Sequence, residues 1–111
     1  MSVNKELLKG STVILILTLL DRRPMYGYEM IAAIEQESGG VFSFKEGTLY
    51  PILHDLESDG HVEAYWSEGE GSRKRKYYRL TEIGRKYTQA RRSEWDLFRT
   101  AVDRVIGGSQ A

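Results

Sequence analysis

The sequence predicts a mostly α-helical chain with one small β-hairpin, and three stretches predict it. Over residues 43–60, Leu49, Ile52, Leu53 and Leu56 recur at i, i+3, i+4 and i+7, a single apolar stripe along a helix. Beyond Gly60, Val62, Ala64 and Trp66 alternate with His61, Glu63 and Tyr65, and later Tyr78 and Leu80 alternate with Tyr77 and Arg79, the period of two that marks half-buried strands. From Thr81 a third run keeps helical spacing to Ile106 and meets Gly107-Gly108, where glycine ends helices. Helix, basic hairpin and long closing helix in that order form the pattern of a winged helix-turn-helix with an added C-terminal dimerisation helix.

Composition narrows the class. A chain of 111 residues with 41% hydrophobic residues is one small domain, near the size at which a further interface helps stability. It has no cysteine, which excludes disulfides and thiolate metal sites and fits a reducing cytoplasm. The apolar run 11–20 is too short to span a bilayer and leads into Asp21-Arg22-Arg23-Pro24, not a small-residue cleavage site, so neither a transmembrane helix, a signal peptide nor a membrane partner is expected. His54 and His61 are the only histidines, and no glycine loop precedes a lysine-bearing helix, so no catalytic residue, cofactor or metal is expected. The one metal set conceivable from spacing is His54, Glu57 and His61, around a helix end. Formal net charge is zero, which leaves room for a local basic patch offset by acids elsewhere.

In chain order, residues 4–20 read as a first helix whose segment Val13-Ile14-Leu15-Ile16-Leu17 is apolar all round and so expected to be buried on every side. The β-branched residues leave a buried strand over 12–17 open. Pro24 breaks the chain, because the residue before a proline leaves the helical region. A second helix over 26–38 shows the apolar face Tyr28, Ile31, Ala32 and Ile34, with Ala33 beside it, and ends at Gly39-Gly40. Val41 and Phe42 lead into the central helix. Ser43 with Glu46 forms a capping-box pattern that places Pro51 inside that helix, at the cost of a hydrogen bond and a bend. A cap at Thr48 would put Pro51 in the first turn. The earlier start is favoured, with Phe44 stapling it to the core.

After the hairpin turn Ser67-Glu68-Gly69-Glu70-Gly71-Ser72, the run Arg73-Lys74-Arg75-Lys76 places four cations at the base of the wing, two to each side. Thr81 caps the last helix, with Glu82 at its positive end. A rod of about 25 residues is about 37 Å long, more than a three-helix core can cover. Its overhang still carries Trp95, Phe98, Ala101, Val102 and Val105 at helical spacing, with Leu97 and Ile106 at the edge. Such a stripe predicts a second copy, hence a homodimer; folding back on its own domain is the plainer alternative. The all-round apolar first helix agrees with the dimer. The outward face of the central helix carries Thr48, Tyr50, Pro51, His54, Asp55 and Ser58, hydrogen-bonding and flat groups suited to reading a groove.

Three sets of residues together carry a family resemblance. Tyr26-Gly27-Tyr28-Glu29 is the first. Glu46-Gly47-Thr48-Leu49-Tyr50-Pro51 with Leu53, Leu56-Glu57 and Gly60 is the second. Arg73-Lys74-Arg75-Lys76-Tyr77-Tyr78-Arg79-Leu80-Thr81 with Gly84 is the third. In order and spacing, over nearly the whole chain, they resemble the PadR family of bacterial transcription regulators. The single terminal helix is similar to its compact subgroup.

The resemblance implies a winged helix-turn-helix DNA-binding domain over 1–81. It also implies a dimerisation helix over 82–108, packed with the first helix of both subunits, and a tail over 109–111. It implies a dimeric repressor that binds double-stranded operator DNA as an inverted repeat and is released by a small molecule or stress signal. On this pattern Tyr28 and Tyr50 would contact phosphates, and Thr48, Pro51 and His54 would form the groove surface. Arg73, Lys74, Arg75 and Lys76 would line the wing, with Lys5 and Lys9 adding phosphate contacts. The dimer interface would comprise Leu8, Leu15, Trp95, Phe98, Val102 and Val105, and Leu15, Trp95 and Phe98 would line a cavity for a hydrophobic or aromatic effector. The competing reading is a winged helix used for protein contact without DNA.

Overall fold

The computed structural model describes residues 5–68 and 73–107, with side chains from Ser11 onward. Helix α1 (Lys5–Arg22) leads through strand β1 (Met25–Tyr26) into α2 (Gly27–Glu37) and α3 (Glu46–Ser58). Strands β2 (Val62–Glu68) and β3 (Lys74–Leu80) form the hairpin, and α4 (Glu82–Ile106) closes the chain. The sheet is antiparallel, in the order β1-β3-β2. Residues 12–17 are helical, which removes the strand alternative.

Strand β1 is absent from the sequence reading. Pro24 pushes its neighbourhood out of the helical region, and the two residues that follow pair with β3 as Met25↔Tyr78 and Tyr26↔Tyr77. Two residues show no period. Met25 is buried beside Tyr78 in the core, so α2 starts at Gly27 and its inward face is Gly27, Met30 and Ile34. This corrects the expected face: Tyr28 is 66% exposed and Ala32 is exposed. The rotation is set by Gly27, where a Cβ would overlap the Tyr50 hydroxyl and stand 2.8 Å from Tyr50 Cζ.

Helix α3 starts early, as favoured, but its N-cap is Lys45 in extended conformation and no side chain caps it, so the Ser43 capping box does not form. The Lys45 carbonyl instead accepts from the Thr48 and Leu49 amides. Pro51 lies inside the helix, where it has no N–H to give to the carbonyl one turn back. The helix ends in a Schellman turn: Gly60, at φ +81°, donates to the Glu57 carbonyl and His61 to that of Leu56.

Leu49, Leu53 and Leu56 of α3 meet Ile16, Leu17 and Leu20 of α1, Met30 of α2, and Val62, Tyr78 and Leu80 of the sheet in one core. Val13, Ile14 and Leu15 are only half-buried, so α1 is not enclosed on every side, contrary to expectation. The hairpin register runs from Val62↔Leu80 to Glu68↔Lys74. Two expectations fail there for one reason, the overhang of the hairpin beyond the core. Trp66 is 65% exposed although it shares the inward face of Val62, and the lysines of β3 stand at the outer end of the wing, not its base.

Helix α4 begins as expected, with the Thr81 Oγ1 accepting from the Gly84 amide at 2.9 Å and donating to the Gly60 carbonyl at 2.6 Å. Gly84 lies against the His61 carbonyl, where a Cβ would overlap the oxygen, and the His61 ring stacks on Tyr87 at 3.8 Å. Asp21 of α1 stands 3.9 Å from Arg85 and 3.8 Å from Arg92, tying the first half of α4 to α1. From residue 89 to Gly107 every described side chain on α4 is exposed except Val102, which is half-buried. The molecule is accordingly elongated, 57 × 33 × 20 Å.

Candidate nucleic-acid interface

On α3, Thr48, Pro51, His54, Asp55 and Ser58 all face solvent. Tyr50 does not: it is half-buried with its hydroxyl end laid on Gly27. Burial raises its phenol above the ordinary value, and Tyr78, Glu46 and Tyr28 act the same way against an opposing pull from Lys76. Tyr50 is therefore a neutral hydroxyl packed over Gly27. Tyr28 stands at the start of α2, where neighbouring Glu29 is turned back, its carboxylate accepting from the Tyr26 amide at 3.1 Å and from Arg23 at 3.0 Å. Tyr28, Ile31, Phe44, Lys45, Glu46 and Gly47 line a shallow cleft at the α3 N-terminus.

The wing sorts its cations by strand alternation. Lys74 and Lys76 share the face of Tyr78 and Leu80, and the Lys76 Nζ is 5.7 Å from the Tyr78 ring. Arg75 points to the other face, where register aligns Tyr26, Tyr77 and Tyr65 across the three strands. The Tyr26 and Tyr77 rings meet edge-on at 5.4 Å and Tyr77 stacks on Tyr65 at 5.7 Å. Arg75 lies over Tyr26 and Arg79 over Tyr65, and Arg79 also pairs with Glu63 at 3.1 Å. Arg73, just before β3, is exposed. The structure thus sets Lys74 and Lys76 on the face that continues from the core and Arg75 on the opposite face with Tyr26. The Arg75 anchor went unseen because it depends on β1. Lys5 and Lys9 lie outside the residues whose side chains are described.

Away from this surface, Trp95 tilts against Phe98 at 5.7 Å and separates two clefts along α1. One, of about 430 Å³, is lined by Leu15, Leu19, Ile34, Phe42 and Trp95, with the Arg22–Glu37 pair on its rim. The other, of about 380 Å³, is lined by Val13, Ile14, Trp95 and Phe98 with Arg91 and Glu94. Of the expected effector residues, Leu15 therefore lines the first cleft, Phe98 the second, and Trp95 both. Of the expected interface residues, Val102 is half-buried and Val105 exposed, while Leu8 lies outside the described side chains. Among the described residues no three His, Asp or Glu side chains converge as a metal site, and the His61 ring is occupied by Tyr87. No described helix is long and apolar enough to cross a membrane.

An exposed polar face on α3, a lysine-bearing β-wing beside it and a long closing helix define a winged-helix protein. The family model for the PadR-like transcriptional regulators matches residues 16–90. A transcriptional regulator of known structure from Clostridium thermocellum is 30% identical, covering 92% of this chain and 96% of its own, with a TM-score of 0.81. A PadR family transcriptional regulator from Eggerthella lenta is 34% identical over 91% of this chain and 86% of its own, with a TM-score of 0.75. The Escherichia coli transcriptional regulator YqjI is 29% identical over 90% of this chain, which spans only 47% of that curated relative. The chain belongs to the PadR-like family of transcriptional regulators.

Proposed function

We propose that this chain acts as a cytoplasmic, homodimeric repressor that binds an inverted-repeat operator and leaves it when a hydrophobic or aromatic compound or a stress signal arrives. The observation that carries the DNA-binding part is the exposure of Thr48, Pro51 and His54 on α3, together with exposed Tyr28 at the start of α2 and the lysines on the core-side face of the wing. In this reading α3 enters the major groove. The hydroxyls of Tyr28 and Tyr50 donate to phosphates, which position without specifying. Lys74, Lys76 and Arg73 neutralise the backbone at the wing, with Arg75 reaching it from the other face.

Residues 1–81 serve as the DNA-binding unit, and α4 with the groove of α1 serves as the dimer seam. The exposed stripe of Phe98 and Val105, and the half-buried Val13, Ile14 and Leu15, support that seam, because each is apolar surface that one protomer leaves uncovered. A two-fold dimer would present its α3 helices to successive major grooves about 34 Å apart. The groove on either side of Trp95 is the effector site of this reading.

A mobility-shift assay with duplex from upstream of the gene for this chain, with and without planar aromatic compounds, tests it. A shifted complex that the compound dissolves is expected. Absence of any complex with specific or random duplex at low salt overturns it and favours a winged helix used for protein contact.

A further inference from the structure

The outer end of the wing carries a side chain outside the DNA-facing residues named so far. Trp66 is 65% exposed, and among the described residues its ring stacks on no other aromatic ring. Its place in the sheet fixes its direction. It pairs with Lys76, and by alternation it stands on the face that carries Val62, Ala64, Tyr78 and Leu80. Near the body that face is the core; beyond the Ala64↔Tyr78 pair it emerges into solvent, where Lys76 lies near Tyr78. Lys74 follows on the same face, about 6.7 Å further along the strand, and Glu68 opposite it tempers its charge.

An indole flanked by two ammonium groups matches a polyanion whose charges are separated by apolar rings. Between neighbouring phosphates a duplex presents the apolar faces of its deoxyribose rings, surface that an exposed indole can cover. Resting on the DNA-binding reading above, we propose that Trp66 is the non-electrostatic contact of the wing: its indole packs on the deoxyribose wall of the duplex whose phosphates Lys74 and Lys76 neutralise.

Titration of fluorescent duplexes, one carrying the operator and one of random sequence, into the full chain at several salt concentrations tests the assignment. Trp66→Ala is expected to weaken binding to both duplexes by about tenfold while the slope of log K against log[salt] stays that of the wild type; Lys76→Ala is expected to lower the slope by about 0.9. Trp66→Phe should retain most of the affinity. Duplex should also quench the wild-type tryptophan emission and lose that effect in Trp66→Phe, whose remaining tryptophan is Trp95. Wild-type binding matched by Trp66→Ala, or a changed mass in sedimentation for Trp66→Ala, overturns this assignment alone. A wild-type chain that binds neither duplex overturns the DNA-binding reading together with it.

Discussion

Arg75 donates from Nη1 to the Tyr26 hydroxyl at 2.9 Å while its guanidinium carbon sits 4.6 Å from the centre of the same ring. One cation of the basic run is thus held on the outer face of the sheet by the short strand β1. Lys74 and Lys76 keep the face that continues from the core. Removing a cation that neutralises one phosphate lowers the salt slope by about 0.9. The double substitution Lys74→Ala with Lys76→Ala is therefore expected to lower it by about 1.8, and Arg75→Ala by clearly less than a full phosphate's share. An Arg75→Ala slope reduced by as much as that of Lys76→Ala would show that the Tyr26 anchor does not restrain Arg75.

Gly27 and Gly84 both stand at close approaches within the fold, and they differ in what they approach. A Cβ at Gly27 would meet the ring end of Tyr50, a side chain; at Gly84 it would meet the His61 carbonyl, which is backbone. Side chains yield more easily than backbone. Gly27→Ala is expected to cost about 1–3 kcal/mol, lowering the melting temperature of a chain this size by several degrees, and Gly84→Ala is expected to cost more. Adding Tyr50→Leu should relieve much of the Gly27→Ala penalty in a double-mutant cycle and none of that at Gly84. Equal penalties in both backgrounds would remove Tyr50 as the obstacle.

These close approaches also mark where sequence reasoning stops. The apolar stripe of α3, the alternation of Tyr78 and Leu80 and the Thr81 cap are each carried by spacing within one element, and the structure has all of them. The inward face of α2, the place of Trp66 and the anchoring of Arg75 depend on how elements meet. Tyr28 and Ala32 looked like core at helical spacing beside Ile31 and Ile34, but the unseen strand β1 and the Tyr50 ring on Gly27 turn Met30 inward with Ile34 and leave Tyr28 and Ala32 exposed. Periodicity likewise gives the faces of a strand but not how far the core extends beneath it. The exposed surface of α3 was legible because its residue types, not its neighbours, distinguish it from an ordinary solvated helix.

Burial raises the phenols of Tyr50 and Tyr78, with Glu57 adding to the effect at Tyr78. An acid whose folded value lies above its unfolded one stabilises the fold fully below the unfolded value, and that stability is lost as pH rises through the folded value. The fold should therefore be insensitive to these groups at neutral pH and weaken above about pH 10. The slope contributed by each tyrosine approaches about 1.4 kcal/mol per pH unit while it is ionised only in the unfolded chain. Denaturant unfolding followed from pH 8 to 11 is expected to show a shallower decline for Tyr78→Phe than for wild type. An identical alkaline slope in the variant would assign the decline to other groups.

Trp95 borders both clefts along α1 and lies against Phe98, whose side chain is 59% exposed. A tryptophan central to a groove of this kind is where truncation costs a seam most. In the proposed dimer, Trp95→Ala is expected to weaken self-association by about 2–4 kcal/mol. The sedimenting species would then move from twice 12.7 kDa toward the single chain at micromolar concentration. Planar aromatic dyes should quench wild-type emission and lose most of that effect in Trp95→Ala, where Trp66 remains as an internal control. Val105→Ser separates the two roles, because it touches the stripe of α4 but neither cleft: it should weaken the dimer and leave dye contact at Trp95 in whatever dimer remains. A Trp95→Ala chain with unaltered mass and unaltered dye response would remove this residue from both the seam and the effector site.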